Sequence, residues 1–265
     1  MKEIKNNLEV LKELNQPEIS HFVIDSIIES NTPARVYVNK PENPSRSIIW
    51  EGHNIILGGD ISQAKEMATD LADNILTDEV REKLYFAKLI TPSEDWQDSL
   101  IEAFDDCKVK TMDRVLFRHS LEDIPELEND DQQLEIRVID SEIIDSELEK
   151  DGMIEEIKGM WGSIDKFLRD GFGTCGIKDG KVVCWCTGEY FSEDYCGIGI
   201  ETVEEYQQQG IATLTAAAFL KETKQQGLIP HWDSWKENTP SVKVAEKLGF
   251  ERVKDYSVVG ALVGE

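Results

Sequence analysis

Residues 206–213 read YQQQGIAT, and the alanine-rich run LTAAAFLKETKQQG follows. Three uncharged amides, Gln207, Gln208 and Gln209, lead into Gly210, Ile211, Ala212 and Thr213 at the head of a helical pattern. The strand-like CGIGIET lies just before them. A strand, a loop and a helix N-terminus together make an anion site. The first helical N–H groups have no internal acceptor, and the helix dipole favours negative charge there. Gly210 leaves room for a phosphate against bare backbone, Ala212 keeps the next turn small, and the glutamine amides add donors without charge. A pyrophosphate would suit such a cradle. The spacing lacks the Gly-Lys-Ser/Thr of a Walker A loop and the G-x-G-x-x-G of a dinucleotide fold.

Other reactive residue types are less organised. Cys184 and Cys186 are one residue apart on a strand and share a face, but no second pair accompanies them, so they read as small core residues and not as zinc ligands; no metal is expected. His231, in IPHWD, suits either a hydrogen-bonded structural position or a base, while Trp232 and Trp235 suit core or pocket wall.

The elements that must position these residues are legible in the second half. MIEEIKGMWGSIDKFLRDG reads as helical up to Gly171, and Asp179-Gly180 as the tight turn of a hairpin within FGTCGIKDGKVVCWCTGEYF. CGIGIET is a third strand, the helix after the loop ends at Gly227, and LIPHWDSW is a fourth strand. Thr239 can cap a short helix starting at Pro240 and ending at Gly249, and FERVKDYSVVGALV supplies the last strands. This order predicts an α/β (α+β) domain with a mixed, mostly antiparallel sheet flanked by helices. The first half reads as an opening helix, strands at ARVYVN and SIIWEGHNIILGG, a helix at ISQAKEMATDLADNIL, a strand at YFAKLIT, a helix at SEDWQDSLIEAF and a strand at RVLFRH. The acidic, aperiodic SLEDIPELENDDQQLE, residues 120–135, reads as a linker. It places a boundary near 128, with a smaller α/β N-terminal domain over 1–128 and a second domain over 129–265.

Composition narrows the function classes. The 265 residues are 40% hydrophobic, enough for packed cores. No apolar run reaches the roughly 18 residues of a membrane span, and the N-terminus has no signal-peptide core. Five cysteines without framework spacing imply reduced thiols, so a cytoplasmic protein with no membrane partner is expected. The net charge of −25 repels phosphate backbones, so no nucleic-acid partner is expected; it attracts cationic amines, or serves only solubility. The oligomeric state is not legible.

With the loop and DSWKENTPSVKVAEKLGFERV in view, residues 133–260 resemble the GCN5-related N-acetyltransferase (GNAT) superfamily. In that family a Q/R-x-x-G-x-G/A loop holds the pyrophosphate of acetyl-CoA, and an Asn begins a helix that ends in Gly-Phe. Gln207, Gly210 and Ala212 match the loop, Asn238 the helix start, and Gly249-Phe250 its end. The pattern Trp232, Ser234, Asn238, Ser241, Ala245 and KLGF is similar to the branch that includes the zwittermicin A resistance acetyltransferase. There a degenerate GNAT-like copy precedes the acetyltransferase domain, although LGGDISQ at 57–63 does not match the CoA loop.

The resemblance implies an acetyl-CoA-dependent N-acetyltransferase acting on a small cationic amine, in an antibiotic-resistance setting if the branch likeness holds. It assigns acetyl-CoA contacts to Thr202, Val203, Gln207, Gln208, Gln209, Gly210, Ile211, Ala212, Thr213, Asn238 and Ser241. Backbone N–H groups of Glu201, Thr202 and Val203 are candidates to polarise the thioester carbonyl. Glu201 is the first candidate base and Glu189 the second; both also fit plain surface carboxylates. The family's usual acid, a tyrosine four residues before the Gly of Gly-Phe, is replaced by Ala245, which leaves Tyr256 or unassisted departure of the thiolate. The alternatives are a non-catalytic CoA-binding regulatory protein and a protein or peptide acetyltransferase.

Overall fold

The computed structural model of the chain describes every residue except 16–18, 75–85, 94, 104–107 and 263–265. Its strands are β1 (Lys2–Ile4), β2 (Arg35–Val38), β3 (Arg46–Trp50), β4 (Asn54–Gly59), β5 (Phe86–Ile90), β6 (Lys108–Arg118), β7 (Glu135–Val138), β8 (Gly173–Lys178), β9 (Lys181–Glu189), β10 (Tyr195–Thr202), β11 (Ile229–Trp235) and β12 (Glu251–Leu262). Its helices are α1 (Leu11–Leu14), α2 (His21–Ile28), α3 (Ala64–Asn74), α4 (Trp96–Ala103), α5 (Ser141–Asp145), α6 (Asp151–Trp161), α7 (Ile164–Asp170), α8 (Ile211–Gln226) and α9 (Thr239–Lys247).

The chain forms two compact units, Met1–Arg114 with Asp255–Glu265, and Val115–Lys254. Residue 128 falls inside the second. In the first unit β1 to β4 pair antiparallel in sequence order, and β5 lies parallel to β4. Residues 259–262 pair antiparallel with β5. Its core gathers Ile48, Leu57, Met67, Leu71, Leu89, Trp96 and Val259. The opening helix expected from the polar N-terminus is partly a strand. Lys2–Ile4 pair with Val36–Val38, an edge partner distant in sequence that local periodicity does not reveal.

The second unit follows the expected order. β7, β8, β9 and β10 pair antiparallel, and β11 lies parallel to β10. One face of this sheet packs Phe117, Ala216, Phe219, Leu220, Trp232 and Phe250, and so carries α8 and α9. The other packs Met153, Ile157, Trp161, Phe167, Cys175 and Trp185, and so carries α6 and α7. The helical pattern read up to Gly171 is broken at Gly162, with φ 77°, between α6 and α7. The hairpin turn is as expected: Asp179 and Gly180 both take positive φ, which a two-residue turn between twisted strands demands. Residues 120–134 contain no helix or strand, yet Leu121, Ile124 and Leu127 pack on the core and Asp131 accepts a 2.6 Å bond from Lys178. The expected last strands form one, β12.

Candidate functional site

β10 ends in a single 3-10 turn, Glu204–Tyr206, and the chain then tightens through Gln208 (φ 60°) and Gly210 (φ 80°) into α8. Thr213 and Leu214 donate to the Gly210 carbonyl, at 3.1 and 3.2 Å, as the first bonds of the helix. The N–H groups of Ile211 and Ala212 therefore have no acceptor within the helix. Ile211 is buried against Val183 and Cys184 and fixes the helix head on the sheet. The glutamines divide their work in a way the sequence does not show. Gln207 Nε2 donates to the Thr202 carbonyl at 3.1 Å and Gln209 Nε2 to the Glu205 carbonyl at 3.2 Å, so both amides shape the loop from within.

The strand pair before the loop opens. β10 and β11 are paired only from Tyr195↔Ile229 to Gly197↔His231, while β10 runs on to Thr202 and β11 to Trp235. Beyond Gly197 the strands part, and a cavity of about 710 Å³ opens there. Its wall includes Ile200 and Thr202 from β10, Gln207, Gln208, Gly210, Ile211, Ala212 and Thr213 from the loop and α8, Trp232 from β11, and Asn238 and Ser241 at the start of α9. Nine of the eleven expected acetyl-CoA contacts thus line one space. Val203 and Gln209 are not part of this wall; Val203 N–H donates to the Val183 carbonyl at 2.9 Å, which takes it from the set of candidate carbonyl-polarising donors.

The start of α9 is set by Asn238, whose side chain accepts from Ser241 N at 3.3 Å; Thr239, the cap expected from composition, is already helical. Ser241 in turn accepts from Trp232 Nε1 at 3.0 Å, tying helix head to strand. Lys243, two residues on, brings an ammonium to the cavity wall, the only one among the described residues. Removing the cap by Asn238→Ala should cost about 1 kcal/mol. It should lower Tm by roughly 2–4 °C in a thermal melt, given a chain of this size.

Carboxylates gather on the opposite face of β10. Alternation turns Gly197, Gly199 and Glu201 away from the cavity-lining Ile200 and Thr202, toward α6. There Glu156 of α6 accepts from Trp185 Nε1 at 2.8 Å and from Thr187 Oγ1 at 3.4 Å, and lies within reach of the Glu201 charge. A side chain at Gly199 would collide with Glu189 Oε1 and lie 3.4 Å from Glu156 Oε1. Burial, and then the neighbouring Glu201 charge, hold the Glu156 carboxyl above the usual carboxylate range, with the Trp185 bond opposing. Glu156 was not singled out from the sequence. Its signal was a carboxylate beside the Met153–Ile157–Trp161 stripe that α6 buries.

A sequence model of the GNAT acetyltransferase family matches residues 12–259. The chain belongs to this family. It is 25% identical over 256 residues to a Bacillus subtilis (strain 168) protein named uncharacterized N-acetyltransferase YdfB, covering 96% of this chain and 95% of that one. Among solved structures, it is similar to a GCN5-related N-acetyltransferase-like protein from Streptococcus suis (TM-score 0.71, 20% identity, 96% and 98% of the two chains). It is also similar to a tandem GNAT protein from the clavulanic acid biosynthesis pathway (TM-score 0.54, 12% identity, 91% and 88%). The α/β fold with its mostly antiparallel sheet is that of these GNAT structures.

Within a GNAT N-acetyltransferase the remaining assignments acquire definite places. Ala245, at the usual acid position, is fully buried among Trp232, Leu248 and Phe250, so this helix offers no hydroxyl there. Tyr256 belongs to the first unit; it is buried, its hydroxyl accepts from Arg114 Nε at 3.2 Å, and it is not part of the cavity wall. The cavity wall therefore gives Tyr256 no part as the acid. His231 is buried with its ring 5.2 Å from that of Tyr195. Cys184 and Cys186 are core residues, and burial pushes the Cys184 thiol up to about 11. Among the described residues no group of three or more His, Cys, Asp or Glu could hold a metal, and no helix is long and apolar enough to cross a membrane.

Proposed function

We propose that this GNAT acetyltransferase binds acetyl-CoA in the cavity between β10, β11 and the head of α8, and acetylates a small cationic amine. The observation that carries the reading is the parting of β10 from β11 at a cavity that Ile211 and Ala212, whose N–H groups have no acceptor within the helix, also line. A pyrophosphate fits the loop, with Lys243 as supporting cation. The released edge of β10 offers backbone donors to a thioester carbonyl. The net charge of −25 favours a cationic acceptor such as a polyamine, an aminoglycoside or another antibiotic-like amine, disfavours nucleic acid, and accords with a cytoplasmic enzyme without membrane partners. With Ala245 in place of the acid, the thiolate leaves without direct protonation, which its low basicity allows.

Residues 1–114 fit the degenerate copy of the same fold. Three antiparallel pairings, a parallel β4–β5 pair and an intervening helix repeat the succession of β7 to β11. Its helix head is filled by its own chain: Asp60 accepts from Ser62 N at 2.9 Å and Ser62 Oγ at 2.6 Å. One acetyl-CoA per chain is therefore expected.

The test is free-thiol release from acetyl-CoA across polyamines, aminoglycosides, amino acids and short Lys peptides, beside calorimetry. We expect one bound acetyl-CoA and turnover on one small-amine class. Binding without turnover on any amine would establish the regulatory reading, and turnover confined to the Lys peptides the peptide-acetyltransferase reading.

A further inference from the structure

We propose that the general base for the acceptor amine is Glu156, carried by α6, and that Glu201 tunes it from the strand. The inference rests on the acetyl-CoA reading above. Of the three carboxylates near Gly199, Glu201 is exposed, and Glu189 reaches Gly199 from the end of β9. Glu156 is the one held from beneath by two side-chain donors, the Trp185 indole and the Thr187 hydroxyl, which fix its carboxylate over the bare backbone of Gly199. Gly199 is next to Ile200, whose other face lines the cavity, so an amine seated over Gly199 lies beside the strand that the thioester follows.

The charges around Glu156 favour a cation. Glu201 faces it from β10 and Glu189 nears the same point from β9. On its own helix the residues three and four positions away, Gly152, Met153, Gly159 and Met160, are uncharged. Cys184 and Cys186, whose thiols burial holds protonated, add no charge from β9. Among the described residues no Lys or Arg forms an ion pair with Glu156 or Glu201. Burial and Glu201 raise the Glu156 carboxyl, so it is a stronger base than a solvated carboxylate, and an arriving ammonium offsets the repulsion that raises it.

In the step itself the ammonium loses a proton to Glu156, and the freed nitrogen pair attacks the thioester carbonyl carbon. The C–N bond forms and the C–S bond breaks, with its electron pair on the CoA sulfur. The nitrogen's second proton passes to solvent, from which the departed thiolate takes one after it has left, and Glu156 returns its own to solvent.

The experiment compares wild type, Glu156→Gln and Glu201→Gln, using acetyl-CoA and whichever panel amine gives the fastest thiol release. Glutamine keeps an acceptor for Trp185 and Thr187, so Tm should hold. For wild type, kcat/KM should rise with pH along a limb centred above the ordinary carboxylate range, because only ionised Glu156 accepts the proton. Glu156→Gln should lose that limb and about 100-fold or more of kcat/KM, within the range of general base catalysis, with acetyl-CoA Kd unchanged. Glu201→Gln should move the limb to lower pH, since it removes the repulsion. Tryptophan fluorescence of the free protein should show a step at the same pH, from Trp185, absent in Glu156→Gln. Full turnover with the limb retained in Glu156→Gln overturns the proposal even though acetyl-CoA binds. Failure of wild type to bind acetyl-CoA overturns the cofactor reading and this inference with it, and binding without turnover on any amine overturns the acetyl-transfer reading and this inference while leaving the acetyl-CoA site in place.

Discussion

Gly210→Asp should abolish detectable acetyl-CoA binding while the protein stays folded. Gly210 has φ 80° and a side chain there would meet nothing within 4 Å, so the substitution creates no clash inside the protein. The backbone strain of a left-handed non-glycine residue is about 1–2 kcal/mol, and Asp is among the residues that tolerate it best. The loss comes from charge. A carboxylate at the helix head would face a bound pyrophosphate, and two like charges at contact distances of about 4 Å near a protein surface repel by roughly 4 kcal/mol. At 1.4 kcal/mol per decade this weakens Kd by about a thousandfold or more. Gly210→Asn separates the causes: it has nearly the same shape and tolerance of the conformation but no charge, and should lose about tenfold at most. Calorimetry on the two variants decides. Equal affinities of Gly210→Asp and wild type would remove the pyrophosphate from this loop.

The loop was legible because its chemistry is local. A glycine at a positive φ, a small residue after it and a helix behind it are all written within eight positions. The Asp179-Gly180 hairpin and the α8 stop at Gly227 were legible for the same reason. What escaped depends on partners far away in sequence. Strands β10 and β11 each read as a full strand, and nothing in either announces that pairing stops at Gly197↔His231; yet that divergence makes the cavity. Gln207 and Gln209 looked like ligand donors until the turn over Glu204–Tyr206 brought backbone carbonyls within their reach. Tyr256 follows α9 closely in sequence, but the chain passes from the second unit to the first after Lys254.

Glu156 is well hidden in the sequence. Fifty-three acidic residues hide any one of them from composition, so the strand carboxylates Glu201 and Glu189 drew notice by family position. Helical geometry carried a quieter signal. Glu156 precedes Ile157 on the side of α6 that buries Met153 and Trp161, where a carboxylate must find donors or be neutralised. Trp185 and Thr187 are those donors, and they lie on the β9 face that alternation points toward α6.

Gly199→Val is the substitution that should damage acceptor chemistry most while sparing the acetyl-CoA cavity. Gly199 is absent from the cavity wall, and its missing side chain opens toward Glu189 and Glu156. A Cβ there collides with Glu189 Oε1, lies 3.0 Å from Glu189 Cδ and reaches 3.4 Å from Glu156 Oε1, so the γ-methyls of valine press on the second carboxylate as well. Both carboxylates sit at the ends of flexible side chains and can swing away, so the fold should survive, with a loss in the 1–3 kcal/mol range typical of overpacking. A displacement of the base by about an ångström costs on the order of 100-fold in rate. We therefore expect kcat/KM for the amine to fall by that factor, acetyl-CoA Kd to stay within about twofold, and Gly199→Ala to fall between the two because it moves Glu189 alone. Should Gly199→Val acetylate the amine as fast as wild type, the acceptor does not occupy the space above Gly199, and Glu156 has no proton to take from it.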